Sequence, residues 1–373
     1  MSDAGPTITI QRWTRASVFA TTATAAVIAA LAAGPLLFSA NAVDKLTTLF
    51  IYVILALMWN ALAGFAGLVS IGQQMFFGLG AYATARLADA GVPVFLCLLL
   101  AGILVGLLAA PLSTIMLRLK GGEFAIGMWV TAELAHLLVN LDTLVQGETG
   151  TSLIAINAYA SEPRRALTYW CALAAMGGLL ALVFALLRSP LGVAILAIRD
   201  NEEAAAAVGI RVARAKRIIF TLAAFGAALA GALWHATALT FQPKTYFSPQ
   251  WTAYMIFMAL VGGLGTFEGS IIGAVIFFAI EALFGSAGVW YLVGLGATAL
   301  LFSLALPRGL WGLIEDRFQV QLLPIGYRVT VAAAEVQSGI PVAGISGEDS
   351  RERHPREICY EHLHTETIPD RHS

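Results

Sequence analysis

Apolar residues in this chain fall in long unbroken runs, without the period-2 alternation or single apolar stripe of a half-buried strand or helix. A bilayer core takes about 20 such residues per helix. Cutting the chain at polar positions and Gly/Pro breaks gives ten runs: roughly 17–40, 46–67, 76–90, 92–117, 124–141, 166–187, 218–240, 251–265, 271–284 and 289–305. Each predicts a transmembrane or re-entrant helix. The third, eighth and ninth are short and glycine-rich, which predicts tilted, broken or re-entrant segments lining a protein-buried cavity. The first run follows Arg12 and Arg15 and ends on Ser39-Ala40-Asn41-Ala42, so a cleaved signal peptide competes with a retained anchor helix. Its length and the spans that follow favour the anchor.

Charge is placed just as unevenly. From Leu46 to Pro307, 23 of 262 residues are charged, against 17 of 66 from Arg308 to Ser373. The first stretch has too little polar surface to cover a water-exposed domain, so a soluble globule is excluded. The reading is an all-α integral membrane protein with a transmembrane domain at 17–316 between a short segment at 1–16 and a charged tail at 317–373. The tail reads as largely disordered, above all from Ile345 onward. With a cytoplasmic N-terminus and ten crossings, eleven Lys/Arg fall on the inner side and five on the outer, six of the eleven in the 188–217 loop. Both termini and that loop are then cytoplasmic. Trp311-Gly-Leu-Ile-Glu-Asp316 reads as an interfacial end to the last helix.

Composition narrows the classes further. The chain is 58% hydrophobic and 12% charged with mean hydropathy +0.79, about half the charge of a soluble domain. A net charge of −1 and no basic stripe leave nucleic acid no footprint. Cys97, Cys171 and Cys359 are scattered, which argues against a disulfide framework or a zinc site. None of Lys45, Lys120, Lys216 and Lys244 follows a glycine, so the chain has no P-loop of its own. No cofactor is implied. His362 and His364 in the tail lack the fixed geometry a metal needs.

Three stretches carry more. Gly67-Leu-Val-Ser-Ile-Gly-Gln-Gln-Met-Phe-Phe-Gly-Leu-Gly-Ala-Tyr82 puts the neutral polar groups of Ser70, Gln73 and Gln74 at membrane depth among Gly72, Gly78 and Gly80. Unpaired, such groups cost a few kcal/mol each in hydrocarbon, so they face a wet pathway or another helix. A translocation pathway and close small-residue packing explain the composition equally well. Gly262-Gly-Leu-Gly-Thr-Phe-Glu-Gly-Ser-Ile-Ile-Gly-Ala274 echoes that spacing about 200 residues later, with Gly262, Gly263, Gly265 and Gly269 as the counterparts. Paired glycine-interrupted segments in two halves point to a transport pathway. Glu268 reads as solvated at a membrane edge. In the third stretch, Arg199-Asp-Asn-Glu-Glu-Ala-Ala-Ala-Ala-Val-Gly209, Asp200 with Glu203 makes a capping-box pattern, the alanines favour helix, and Gly209 supplies a stop. This predicts a helix of about two turns between two spans: a plain solvated connector, or a knob on which a cytoplasmic partner docks.

Glu203-Ala204-Ala205-x-x-x-Gly209 resembles the EAA loop of ATP-binding cassette importer permeases, the loop that docks on the ATPase. The fuller context, Gly192…Ala197-Ile198-Arg199-Asp200-Asn201-Glu202…Gly209-Ile210…Lys216, resembles the LivM-type permease family of branched-chain amino-acid importers. The Gly67–Tyr82 and Gly262–Ala274 stretches resemble that family's other two signature regions. The resemblance covers roughly 45–315. The family often has His at the place of Gln73 and Pro at that of Ile271. The Leu-Pro that closes the general EAA pattern is missing after Ile219, and the charged tail is an addition.

The resemblance implies a permease subunit of the bacterial inner membrane, not an enzyme. Arg199, Asp200, Glu202, Glu203, Ala204, Ala205 and Gly209 would couple it to an ATPase. The partners it implies are two ATPase subunits, a second related permease, an extracytoplasmic solute-binding protein and the lipid bilayer. The cargo would be branched-chain or related amino acids, with urea or short amides as the alternative within the family. A stand-alone secondary carrier or channel is the rival class. Such a carrier relies on buried titratable groups, and few are present. Glu133 and His136 share a helix face in the fifth run and read as a mutually hydrogen-bonded pair inside the bundle or near its cytoplasmic end. Glu281 and His235 stand singly near span ends. No Ser/His or His/Asp/Glu constellation supports an intramembrane enzyme.

Overall fold

The computed structural model describes residues 8–11, 15–306, 308–318 and 328–331. Outside the bundle, strands β1 (Ile8–Gln11) and β4 (Arg328–Val331) pair with each other. The tail from Ile345 and its histidines lie outside the described residues.

The larger unit, residues 10–328, is a helical bundle. Each apolar run becomes a helix. The first half holds α1 (Arg15–Ala32), a single turn α2 (Gly34–Leu37), α3 (Ala40–Asn60), α4 (Gln74–Asp89), α5 (Val94–Met116) and α6 (Gly121–Asn140). The 28-residue α7 (Ser161–Arg188) leads to two short helices, α8 (Pro190–Asp200) and α9 (Glu202–Ala207). The second half holds α10 (Val212–Ala238), a turn α11 (Pro243–Tyr246), α12 (Pro249–Gly262), α13 (Phe267–Phe284), α14 (Val289–Ala305) and α15 (Gly309–Phe318). Seven of these segments, among the described residues, are long and apolar enough to cross a membrane: 40–65, 94–116, 121–140, 161–188, 212–238, 267–287 and 289–315. The third and eighth runs form the shorter α4 and α12, of 16 and 14 residues. The Trp311 segment is a separate helix, α15, and not the end of α14.

α3 and α10 make the centre. In their most apolar windows 83% and 72% of residues are buried, against 28% in α6. Lipid is as apolar as leucine, so hydrophobicity alone does not gather helices in a bilayer; close backbone approach does. α10 is built for it. Its buried residues include Ala223, Ala224, Gly226, Ala227, Ala228, Ala230, Gly231 and Ala232. A Cβ on Gly231 would sit 1.9 Å from the Phe77 carbonyl oxygen, and one on Gly80 would sit 2.0 Å from that of Ala228. α4 and α10 therefore meet backbone to backbone. Residues 141–160 and the 188–217 segment sit at opposite ends of α7, about 42 Å apart at 1.5 Å per residue.

Candidate coupling and translocation site

The 188–217 segment is locally self-sufficient. Pro190 occupies the first turn of α8 without losing a needed N–H, and Ile195 and Ile198 are buried. Asn201 ends one helix and starts the next. Its N–H donates to the Ala197 carbonyl at 3.0 Å, and its Oδ1 accepts the Ala204 N–H at 3.0 Å. The cap is therefore Asn201 and not Asp200. The periodic Ile195–Ile198 run carries α8 through Asp200, whose carboxylate pairs with the Arg199 guanidinium at 2.9 Å. Glu203 falls at the second helical position, out of capping-box register, and α9 has six residues. Lys216 fastens it to α10 by an ion pair to Glu202 at 2.6 Å. Gly209 ends it at φ +88, with nothing within 4 Å of the place its Cβ would take. Of α9 only Ala205 is buried; Glu203, Ala204, Ala206 and Ala207 are exposed.

The two glycine-rich stretches are both helix breaks. α3 passes after Asn60 into a wide π-type turn, Ala61–Phe65. The chain then turns at Gly67 (φ +69) and restarts as α4 at Gln74. α12 stops at Gly262, passes Gly263 (φ +136) and Gly265 (φ +76), and restarts as α13 at Phe267. The sequence echo thus marks the same device used twice. The two breaks also touch. A Cβ on Gly64 would lie 2.5 Å from the Gly265 nitrogen. Asn60 bridges them, and Arg199 Nη1 reaches the Gly64 carbonyl at 3.2 Å. Gly309 and Trp311 of α15 close over Gly263.

Ser70, Gln73 and Gln74 are buried. The Ser70 carbonyl accepts Trp59 Nε1 at 3.0 Å, and Ser70 Oγ accepts the Gly72 N–H at 3.3 Å. Gln74 accepts from the Thr252 hydroxyl and donates its N–H to it at 3.1 Å, which ties the two short helices together. Gln73 Nε2 points at the Ala223 carbonyl at 3.4 Å. The glycines of both stretches sit at close approaches: Gly72 on the Met128 carbonyl, Gly78 on the Phe247 ring, Gly262 and Gly269 on each other. Asn60, Thr252 and Ser270 belong to this polar core although the sequence did not single them out. Asn60 is a lone polar residue in an apolar run, the signal that intramembrane polarity is structural or functional, while Thr252 and Ser270 stand beside other polar residues and carry no such signal.

The opposite end is built from charges. Arg86 makes two hydrogen bonds to the Asp142 carboxylate, at 2.7 and 2.6 Å, and Tyr82 donates a third. Glu133 and His136 do hydrogen-bond, at 3.2 Å, but the pair lies beside the 141–160 segment, away from the 188–217 segment. There His136 Nε2 also meets Glu148 at 2.9 Å, while Asn140 Nδ2 and the Lys244 N–H donate to Glu148 at 2.7 and 2.9 Å. β2 (Thr151–Ser152) pairs antiparallel with β3 (Thr240–Phe241) beside it. Burial pushes the Glu148 carboxyl up, but the bonds from Asn140, Lys244 and His136 outweigh it and hold it below the usual carboxylate range. Asp142 is likewise held low, burial being outweighed by Tyr82, the Leu144 N–H and Arg86.

A family model described as branched-chain amino acid transport system / permease component matches residues 41–306. The chain is 27% identical over 316 residues to the high-affinity branched-chain amino acid transport system permease protein LivM of Salmonella typhimurium (strain LT2). It has the same identity over the same length to LivM of Escherichia coli (strain K12). Each comparison covers 78% of this chain and 74% of the relative. No solved structure matches the chain. The matched region runs from α3 through α14 and includes both helix breaks and the capped helix between the two halves, so the chain belongs to the family of branched-chain amino acid transport system permease components.

Proposed function

We propose that this chain is a membrane-spanning permease subunit of an ATP-driven importer and carries branched-chain or related amino acids into a bacterial cell. The segment from Asp200 to Gly209 rests on a separate ATPase in the cytoplasm. The breaks around Ser70–Gly80 and Gly262–Gly269 border the route of the solute. Two ATPases, a second permease of the same kind and an extracytoplasmic binding protein complete the importer, and the binding protein selects the cargo. Both chain termini face the cytoplasm, the side of the Lys/Arg-rich loop.

One observation carries the reading: α9 is a short helix with its own cap, its own glycine stop and an ion pair from Glu202 to α10, yet it leaves Glu203, Ala204, Ala206 and Ala207 exposed. A solvated connector has no need of such definition. A helix presented rigidly from the end of a bundle is a docking element. The test is uptake of radiolabelled leucine into proteoliposomes that hold the chain with the ATPases, second permease and binding protein expressed from its operon. Uptake should require both ATP on the ATPase side and the binding protein. Uptake by the chain alone, driven by an ion gradient, would overturn the reading in favour of a secondary carrier.

A further inference from the structure

A helix interrupted at membrane depth leaves backbone N–H and C=O groups without partners, each costing several kcal/mol unless something else satisfies it. At the α12–α13 break that something is one side chain from another helix. Asn60 Oδ1 accepts the Gly265 N–H at 2.8 Å, and its Nδ2 donates to the Thr266 carbonyl at 2.7 Å and to Ser270 Oγ at 2.9 Å. Asn60 is fully buried, so its amide serves the break and nothing else. Four residues on, Gly64 lies against Gly265 so closely that even a methyl group would displace the Gly265 backbone. The two interrupted helices, about 200 residues apart in sequence, form one joint.

Arg199 of α8 reaches this joint. Its Nη1 donates to the Gly64 carbonyl at 3.2 Å, and a Cβ on Gly265 would lie 3.2 Å from the same nitrogen. Its Cγ and Cα run beside Gly67, where the first break turns. On the other side the Asp200 carboxylate holds the guanidinium at 2.9 Å, which fixes its direction. The π-type turn Ala61–Phe65 supplies the acceptor, because carbonyls there lack the regular partners of a helix.

We propose that Asn60 and Arg199 are positioning residues of the transport cycle: Asn60 locks the two helix breaks into one joint, and Arg199 links that joint to the segment that docks on the ATPase. A displacement of α8 then reaches Gly64 and Gly265 through a single side chain, without crossing a loop. The proposal rests on the docking reading of residues 200–209.

Arg199 keeps 36% of its side chain open and makes one bond to the joint, so it adds little to stability. A large change in transport with little change in stability is therefore the mark of linkage. The test uses the full importer in proteoliposomes with Arg199→Gln, Arg199→Lys, Asn60→Asp and, for the dock itself, Glu203→Arg. Thermal stability, ATPase retention, ATP hydrolysis and uptake are measured for each. Arg199→Gln should keep the ATPase bound and hydrolysing, while solute moved per ATP falls about tenfold. Arg199→Lys, which can still donate to the Gly64 carbonyl, should recover part of it. Asn60→Asp keeps the acceptor for Gly265 but not the two donors, and should fall in the same direction. If it fails to fold, the two Arg199 variants decide alone. Unchanged solute per ATP in Arg199→Gln would overturn the proposal, as would loss of the ATPase from that variant, which would make Arg199 a docking residue. Full retention and uptake with Glu203→Arg would instead remove the docking reading.

Discussion

The two helix breaks and the far end of the bundle are held mainly by different physics. At the helix breaks beside the 188–217 segment, backbone meets backbone at Gly64, Gly263 and Gly265, and one fully buried amide, Asn60, supplies the bridging hydrogen bonds. At the opposite end, long side chains do the joining: Arg86 to Asp142, His136 and Asn140 to Glu148, Arg165 to Asp44. Steric contact between backbones cannot stretch and does not titrate. Charge pairs in partial contact with water adjust to pH, salt and neighbours. The first kind of contact can transmit position; the second yields to its surroundings.

The sharpest break of that comparison is to add one methyl group at each end. Gly64→Ala puts a Cβ 2.0 Å from Asn60 Oδ1 and 2.5 Å from the Gly265 nitrogen, and overpacking of this kind costs about 1–3 kcal/mol or more. Gly147→Ala, at φ +66 with nothing within 4 Å, costs only the left-handed penalty of about 1 kcal/mol. Thermal unfolding in detergent and leucine uptake should both drop hard for Gly64→Ala and little for Gly147→Ala. Equal losses would mean that the inner joint is no tighter than an outer turn.

Gly209→Val comes next. The site is open, so the change acts only through backbone strain at φ +88, about 1–2 kcal/mol. It should misplace the end of α9 while sparing every span. Membrane level should stay near that of the unaltered chain, and ATPase retention and uptake should fall together. Uptake that survives a distorted α9 would favour a carrier that needs no ATPase.

Acid should separate the ends. Folding lowers the Glu148 and Asp142 carboxyls below their unfolded values, about 4.3 and 3.9. Their contribution is complete above those values and is lost as pH falls through the lower folded ones. Hydrogen exchange of residues 142–152, corrected for intrinsic rates, should rise below about pH 4, with residues 199–209 changing less. Glu148→Gln should blunt that rise. Loosening of both ends in step would contradict the distinction.

The smallest expected effect is at the rim. Arg165 and Asp44 keep 32% and 57% of their side chains open, and exposed pairs contribute about 0–1 kcal/mol. Arg165→Gln should leave uptake unchanged and shift the midpoint of unfolding by a degree or two at most, roughly what such an energy allows. A larger loss would show that the outer end carries more of the fold than its exposure implies.

Much of the fold was legible because a bilayer forces long apolar runs, and each run from 17–40 to 289–305 does coincide with a helix. The glycine-rich stretches were legible as interruptions, and Gly209 as a stop. The cap was misread by one residue. Asp200 and Asn201 both suit an N-cap, and sequence does not show that α8 continues through Asp200 or that its carboxylate is taken by Arg199. Asn60 was not legible at all. It is one amide in an apolar run, and its meaning lies in Gly265, 205 positions away. The charge cluster around Glu148 was hidden for the same reason, since His136 and Asn140 of α6 and Lys244 of α11 converge on it from segments distant in sequence.

The most direct test of the account is a photo-crosslinking amino acid placed at Glu203 or at Ala155, both exposed and set at opposite ends of α7. The two variants are expressed together with the ATPase subunits of the proposed importer and irradiated in intact membranes. The account predicts an adduct between this chain and an ATPase from position 203 and none from position 155. An ATPase adduct from 155 but not from 203 would contradict it, by placing the charged end, not the glycine joint, against the motor.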